Sequence, residues 1–581
     1  MSAELFKDEV KLNRCLKIIF SVAVFIISIR HICQVYQPTL LDDEYAYWSI
    51  AAYFKGYDWS SVTSLCKYYS YGYSIILYII MEIFGDFVYM YRAAIVVNGV
   101  LLVAGFLLLD SIFRKMFPDE RRTVMVMLSF IMTMIPCNIA FSTVNLTECL
   151  LYVLFLAAVR IMLDIDESTS LWKMMVSGVL LGYSYMVHQR MICVIISVIV
   201  MFMVMLYKKK VTFRQVFVFT AFIALFMIIH HFIKADIKEN LWLNGSKSAD
   251  NDYGSIFENL KYVSRSLKSL VVFAIGIMGK LLYFGTATYI FGFVAVMAAA
   301  KKAYRYVWHG EEDNNRHIYV AVFSSFLLMM IISALFMCRM EKLAWLVYGR
   351  YAEFMYPLLF GIGIINVYKM ARKNILKMIL VFSICSSAYA AIGIIVRMYV
   401  KRRGLEWVNY ISCSQIYKYA DGDNLKILTM MVTVLVTAAA VTVIMSLKKY
   451  ERISGILLEV LALMVFMQTA EIPLKAVNLV LQRDKYDTSS IITFMEQNGI
   501  EDRNVYYYIS ETEEEESAQY REYIQYWLQD KKVICVTEKE LQKIDREGWL
   551  IISDEEYQEV AGKKMKSVYS NSMCSMFELK P

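Results

Sequence analysis

Asp42-Asp43-Glu44-Tyr45-Ala46-Tyr47-Trp48 places three carboxylates in a row just beyond the first long apolar run of the chain, residues 18–29. Carboxylates at the edge of a bilayer are costly to desolvate, so a cluster of them there tends to serve a purpose. The rest of the chain decides whether a bilayer is involved. Of 581 residues, 58% are hydrophobic and only 19% charged, with a mean hydropathy of +0.47. A soluble chain of this length carries about 25% charge. Apolar runs of about 20 residues recur between short charged loops, which is the pattern of a polytopic helical membrane protein.

The expected spans are 16–35, 88–113, 122–139, 145–163, 171–188, 190–207, 213–233, 269–300, 318–338, 355–369, 376–396, 426–446 and 453–470. That predicts roughly 11 to 13 membrane helices. The basic N-terminal segment (Lys7, Lys11, Arg14, Lys17) resembles a signal peptide, but Arg30-His31-Ile32-Cys33 follows the apolar run where small residues would mark cleavage. An uncleaved first helix is expected. Segment 269–300 is too long for one simple span and carries Lys280 and several glycines; a re-entrant or in-plane helix leading into a span at 283–300 is expected.

Net charge is +7, and its distribution matters more than its total. Lys and Arg gather in alternate loops: Arg114, Lys115, Arg121 and Arg122; Lys208–Lys210 and Arg214; Lys301, Lys302 and Arg305; Lys369, Arg372, Lys373 and Lys377; Lys448, Lys449 and Arg452. This is a positive-inside pattern with a cytoplasmic N-terminus, not a nucleic-acid surface. The basic loop Arg397, Lys401, Arg402 and Arg403 falls on the other side and departs from it. The 11 cysteines are mostly scattered singly in apolar runs, with no C-x-x-C pair, so neither a disulfide framework nor a zinc site is indicated.

Three large segments face outward on this topology: loops 36–87 and 232–268, and the tail 471–581. The first mixes aromatic residues with charge, as helices lying along a membrane surface do. In the tail, composition shifts. Segments 504–510, 532–537 and 549–553 read as strands, and 489–497 and 518–528 as amphipathic helices. The fold class expected is therefore an all-α polytopic membrane region, 1–470, followed by a small extracytoplasmic α/β domain, 471–581.

Polar groups collect at the outer face: the triplet 42–44, Glu148, the turn with His188 and Arg190, Lys280, and Arg350 with Glu353. Acids that handle a proton and cations that hold an anion suit transfer from a phosphate-linked lipid donor. Each has a blander reading. The triplet favours a helix N-terminus; His188 and Arg190 cap a helical hairpin; Glu148 is a structural acid; Arg350 snorkels to headgroups. His230-His231 resembles a metal pair, but adjacent helical residues point about 100° apart. Tyr68, Tyr69, Tyr71 and Tyr73 read as an interfacial aromatic belt, and Asn145-Leu146-Thr147 matches a glycosylation sequon.

In this order the motifs resemble the GT-C superfamily of integral-membrane glycosyltransferases, in particular bacterial relatives of protein O-mannosyltransferases and of aminoarabinose transferases. The resemblance rests on Asp43-Glu44-Tyr45-Ala46-Tyr47-Trp48, Tyr69-Ser70-Tyr71-Gly72-Tyr73, Phe84-Gly85-Asp86 through Tyr91-Arg92-Ala93-Ala94, Tyr185-Met186-Val187-His188-Gln189-Arg190, Gly279-Lys280-Leu281-Leu282-Tyr283-Phe284, and Gly349-Arg350-Tyr351 before Pro357. It covers about residues 16–370. It implies a catalytic base at Asp43, with Asp42 or Glu44 assisting and the choice between Asp42 and Asp43 open. It also implies a donor phosphate held by Arg350 with His188, Arg190 or Lys280. Some members place a divalent metal ion between acids of two outer loops; Glu148 is the second-loop acid here, and the metal stays open. The implied partners are a polyprenyl-phosphate sugar donor, a glycan, lipid or protein acceptor, and membrane lipids. The competing readings are a lipid-linked oligosaccharide polymerase or ligase, which does not call for the acidic triplet, and a transporter, which predicts internal repeats and midplane charges.

Overall fold

The structure is a computed structural model that describes residues 3–243 except 36, 37, 40 and 41, then 255–309, 316–339, 347–369, 411–413, 428 and 430–437, and 488–579 with short interruptions. The spans expected at 376–396 and 453–470, and the basic loop 397–403, lie outside the described residues.

The chain opens with α1 (Ala3–Ile29), followed by three helices in the first large loop: α2 (Asp42–Lys55), α3 (Ser60–Thr63) and α4 (Ser74–Ile83). Then come α5 (Phe87–Met116), α6 (Arg122–Thr133), α7 (Pro136–Ser142), α8 (Glu148–Met162), α9 (Leu171–Val187), α10 (Ile192–Tyr207) and α11 (Phe213–Leu241). The series continues with α12 (Ile256–Ser264), α13 (Leu267–Ala287), α14 (Phe291–His309), α15 (His317–Phe336) and α16 (Tyr356–Lys369). Among the described residues, six helices are long and apolar enough to cross a membrane, or seven if the bent pair α6–α7 is one span. The expected span 122–139 is broken by 59° there, because Pro136 has no N–H for a helix running through it and instead starts α7.

Segment 269–300 differs from the expectation. It divides into α13, which is long and apolar enough to cross a membrane, and the start of α14. The chain is stopped at Tyr289 and Ile290, which take left-handed φ values of 47° and 68°, and restarts as α14. A β-branched residue in that region is strained, and the Ile290 N–H bonding back to the Gly285 carbonyl at 2.8 Å helps hold it. Helix α11 also runs further than expected, carrying the span into the second large loop.

The four tyrosines of the first loop do not line a surface belt. Tyr68, Tyr71 and Tyr73 are buried and Tyr69 is half-buried. Tyr71 stacks on His230 with centroids 5.4 Å apart, Tyr185 meets the same imidazole edge-on, and the Tyr73 hydroxyl donates to Asn98 at 3.0 Å. Aromatic rings with a polar tip pack inside when that tip finds a partner or a stacking face. The sequon is closed as well: Asn145 and Thr147 are fully buried, out of reach of a modifying enzyme.

The tail holds α17 (Thr488–Gln497), β1 (Asn504–Tyr508), α18 (Glu515–Leu528), β2 (Val533–Val536), β3 (Gly548–Ile552), β4 (Ser567–Ser570) and β5 (Ser575–Leu579). The strands form one mixed sheet in the order β2-β1-β3-β5-β4. β1 runs parallel to both β2 and β3, with Val505 opposite Val533 and Trp549, while β5 is antiparallel to β3 and β4. Helix α18 docks this sheet onto the first loop. Tyr526 packs edge-on against Trp48 and Trp59, at 5.3 and 6.2 Å, and the Tyr523 hydroxyl donates to the Pro38 carbonyl at 2.8 Å. Lys532 pairs with Asp58 at 2.8 Å.

Candidate active site

Three loops and one helix start converge at one end of α8. The first loop contributes Asp43 from the opening turn of α2. The acid of α8 is Glu148, its first residue, where the free N–H groups of a helix start favour negative charge. The turn between α9 and α10 contributes His188 and Arg190, and the segment before α16 contributes Arg350.

Arg350 joins them. Its Nε donates to Glu148 Oε1 at 2.7 Å and its terminal nitrogen to Asp43 Oδ2 at 2.7 Å. Arg190 donates to the same Glu148 oxygen at 3.1 Å, and its other terminal nitrogen donates to the Arg350 carbonyl at 3.2 Å. One carboxylate oxygen thus accepts from two guanidinium groups, while Glu148 Oε2 and Arg190 Nε are buried without a partner among the described residues. Apolar walls keep the charges dry. Arg350 lies 5.6 Å from the Phe141 ring centroid, and Arg190 lies 5.7 Å from both Tyr351 and Phe354. Burial acts to lower the Arg350 pKa, but Asp43 and then Glu148 outweigh it and hold the guanidinium well above its ordinary value.

His188 ends α9 and its Nδ1 accepts the Arg190 backbone N–H at 3.2 Å, so the imidazole shapes the turn that aims Arg190. Burial, and then the Arg190 charge, pull the His188 pKa well below its ordinary value, leaving the ring neutral. The first loop is pressed against this same turn: the Gly72 N–H donates to the Met186 carbonyl at 2.9 Å, and a Cβ on Gly72 would meet the Val187 backbone nitrogen at 2.5 Å.

The other expected residues are placed differently. Glu44 points away from Arg350 into the bundle and is fully buried. Its Oε1 accepts from the Tyr91 hydroxyl at 2.6 Å and the Asn145 backbone N–H at 2.8 Å, and Oε2 accepts from Thr39. Lys280 is buried on α13, where its ammonium donates to the Met337 thioether at 3.6 Å, and it is not part of the Asp43–Arg350–Glu148–Arg190 ion-pair network. Asp42 opens α2, and its side chain lies outside the described residues.

Asp43 and Glu148 are acids from two segments that a divalent ion would bridge, but the Arg350 guanidinium stands between them. Among the described residues no group of three His, Cys, Asp or Glu side chains gathers. Both carboxylates are paired with guanidinium groups, and those guanidinium groups suit an anion.

No family model matches the chain, and its sequence matches no curated protein. Its shape does have relatives. ArnT from Cupriavidus metallidurans, bound to undecaprenyl phosphate, superposes with a TM-score of 0.54 at 10% identity over 97% of each chain. The apo form of ArnT gives 0.54 at 11% identity over the same shares. The oligosaccharyltransferase of Archaeoglobus fulgidus scores 0.45 at 11% identity, over 92% of this chain and 69% of that one, which is too distant to argue from. At such identities the likeness concerns architecture alone: the chain shares the overall fold of ArnT over nearly its whole length.

Proposed function

We propose that the protein transfers a sugar from a polyprenyl-phosphate donor to an acceptor at the outer face of the membrane, with inversion at the anomeric carbon. The observation that carries this reading is Arg350, held dry between Asp43 and Glu148 at one end of an ArnT-type bundle. ArnT itself was solved with undecaprenyl phosphate bound.

In this mechanism the donor phosphate takes the place of part of the carboxylate shell around Arg350, and Arg190 offers its Nε, which has no partner among the described residues. Release of Arg350 frees Asp43, which keeps some contact with solvent. Asp43 accepts the proton of the attacking acceptor hydroxyl as the new bond to the anomeric carbon forms. The bond from that carbon to the phosphate oxygen breaks, and the lipid phosphate leaves with one more negative charge, which Arg350 and Arg190 offset. Glu148 holds both guanidinium groups in place throughout, His188 shapes the Arg190 turn, and Glu44 braces the loop that presents Asp43. On this orientation the N-terminus is cytoplasmic and the C-terminal sheet extracytoplasmic.

The test is sugar transfer from radiolabelled polyprenyl-phosphate sugars by purified protein in proteoliposomes, comparing wild type with Asp43→Asn. Turnover in the wild type that collapses in the variant supports the assignment. Equal turnover would remove Asp43 as the base, and none with any donor would favour a transporter.

A further inference from the structure

Three residues beyond Arg350, Glu353 starts the short 3-10 turn that leads into α16 and is 2% exposed. Its two oxygens live in different circumstances. Oε1 accepts from the Tyr283 hydroxyl and from the Ser412 hydroxyl at 2.6 Å, and the Ser412 backbone N–H donates to the Tyr283 oxygen at 3.0 Å. Oε2 is buried with no partner among the described residues. The Tyr356 hydroxyl, three residues on, is also buried with no partner among the described residues, and its ring lies 6.3 Å from that of Tyr283. Residues three apart on a helical segment share a face. Close packing fixes the geometry: a Cβ on Gly349 would meet the Tyr283 ring at 1.9 Å.

A buried carboxylate oxygen and a buried phenol that do not bond each other are both expensive to leave unsatisfied. A single hydroxyl satisfies both, donating to the carboxylate and accepting from the phenol. Resting on the lipid-phosphate reading above, the choice of ligand is narrow. With the phosphate at Arg350, one turn away, the lipid chain is apolar and the acceptor approaches from Asp43. The remaining polar group tethered to that phosphate is the sugar. We propose that Glu353 and Tyr356, fixed by Tyr283 and Ser412, form a subsite that reads a hydroxyl of the donor sugar and so sets which lipid-linked sugar is accepted.

The test is binding to the full-length protein in nanodiscs of three probes: bare undecaprenyl phosphate, undecaprenyl-phosphate glucose and undecaprenyl-phosphate mannose. In the wild type at least one sugar-bearing lipid should bind about tenfold or more tightly than the bare lipid, as a buried charge-assisted hydrogen bond allows. In Glu353→Gln and Tyr356→Phe that advantage should vanish, while binding of the bare lipid stays within about twofold, which also reports that each variant is folded. Arg350→Gln should weaken all three probes. The subsite is overturned if both variants keep the sugar advantage, or if the wild type gains nothing from either sugar while still binding the bare lipid. A wild type that fails to bind the bare lipid overturns the lipid-phosphate reading, and the subsite falls with it.

Discussion

A carboxylate sits between two cations at each end of α8, and the two ends treat their charges differently. Just past its C-terminus, Asp164 pairs with Lys115 and Arg160, whose side chains are 35% and 29% exposed. At its N-terminus, Glu148 pairs with Arg190 and Arg350, which are 5% and 9% exposed. Each end sets one acid between two basic side chains. In water such pairs contribute about 0–1 kcal/mol and serve to pin loops. Out of water, each charge must be compensated locally, and a folded chain gains little by burying it for stability alone. The dry end is therefore where a ligand that brings its own charge has a reason to bind.

Substitutions should separate the two ends, and the largest effect is expected from Arg350→Gln. It leaves Asp43 and Glu148 facing each other without their shared cation. Transfer should be lost, and stability should drop by about 3–5 kcal/mol, as when one partner of a buried pair is removed. Turnover and thermal unfolding measure both; a variant that keeps wild-type turnover would remove Arg350 from the site. Asp43→Asn comes next. A lost general base costs about 100- to 10,000-fold in kcat, while bare lipid phosphate should bind as before because Arg350 stays. Equal losses in binding and turnover would make Asp43 a structural acid.

His188 gives a pH-dependent effect. Its pKa is pulled down in the folded state, so the unfolded chain takes up a proton that the folded chain refuses. Stability from this group is present above the ordinary histidine pKa of about 6.5 and is lost as pH falls below it. His188→Gln should flatten that acid-side loss in unfolding experiments at graded pH; an unchanged slope would assign the loss to other groups. The smallest effect belongs to the wet end. Asp164→Asn should change stability by no more than about 1 kcal/mol and leave transfer intact. A loss of transfer there would erase the contrast between the ends.

Much of the architecture could be read without coordinates, because membrane spans and amphipathic strands are written in local composition. The runs 88–113 and 171–188 emerge as α5 and α9, and the segments 504–510 and 549–553 as β1 and β3. The order of the polar motifs pointed to Asp43, Glu148, Arg190 and Arg350, which the structure brings into contact. Lys280 has an equal claim on sequence and points elsewhere, toward Met337. The first loop was the hardest to read: its tyrosines carry no mark that separates a membrane surface from a helix-packed interior.

The sequence by itself determined that this is a membrane protein with a small sheet at its C-terminus and charge gathered near one set of helix ends, because hydrophobic length and periodicity depend only on neighbouring residues. It could not divide the work within Asp43-Glu44. Adjacent side chains on a helix diverge, so one carboxylate meets Arg350 while the other turns to Tyr91 and the Asn145 backbone. Tertiary structure alone also left Glu353 Oε2 buried without a partner among the described residues, because whether a polar atom is satisfied depends on Tyr283 and Ser412, which come from distant parts of the chain.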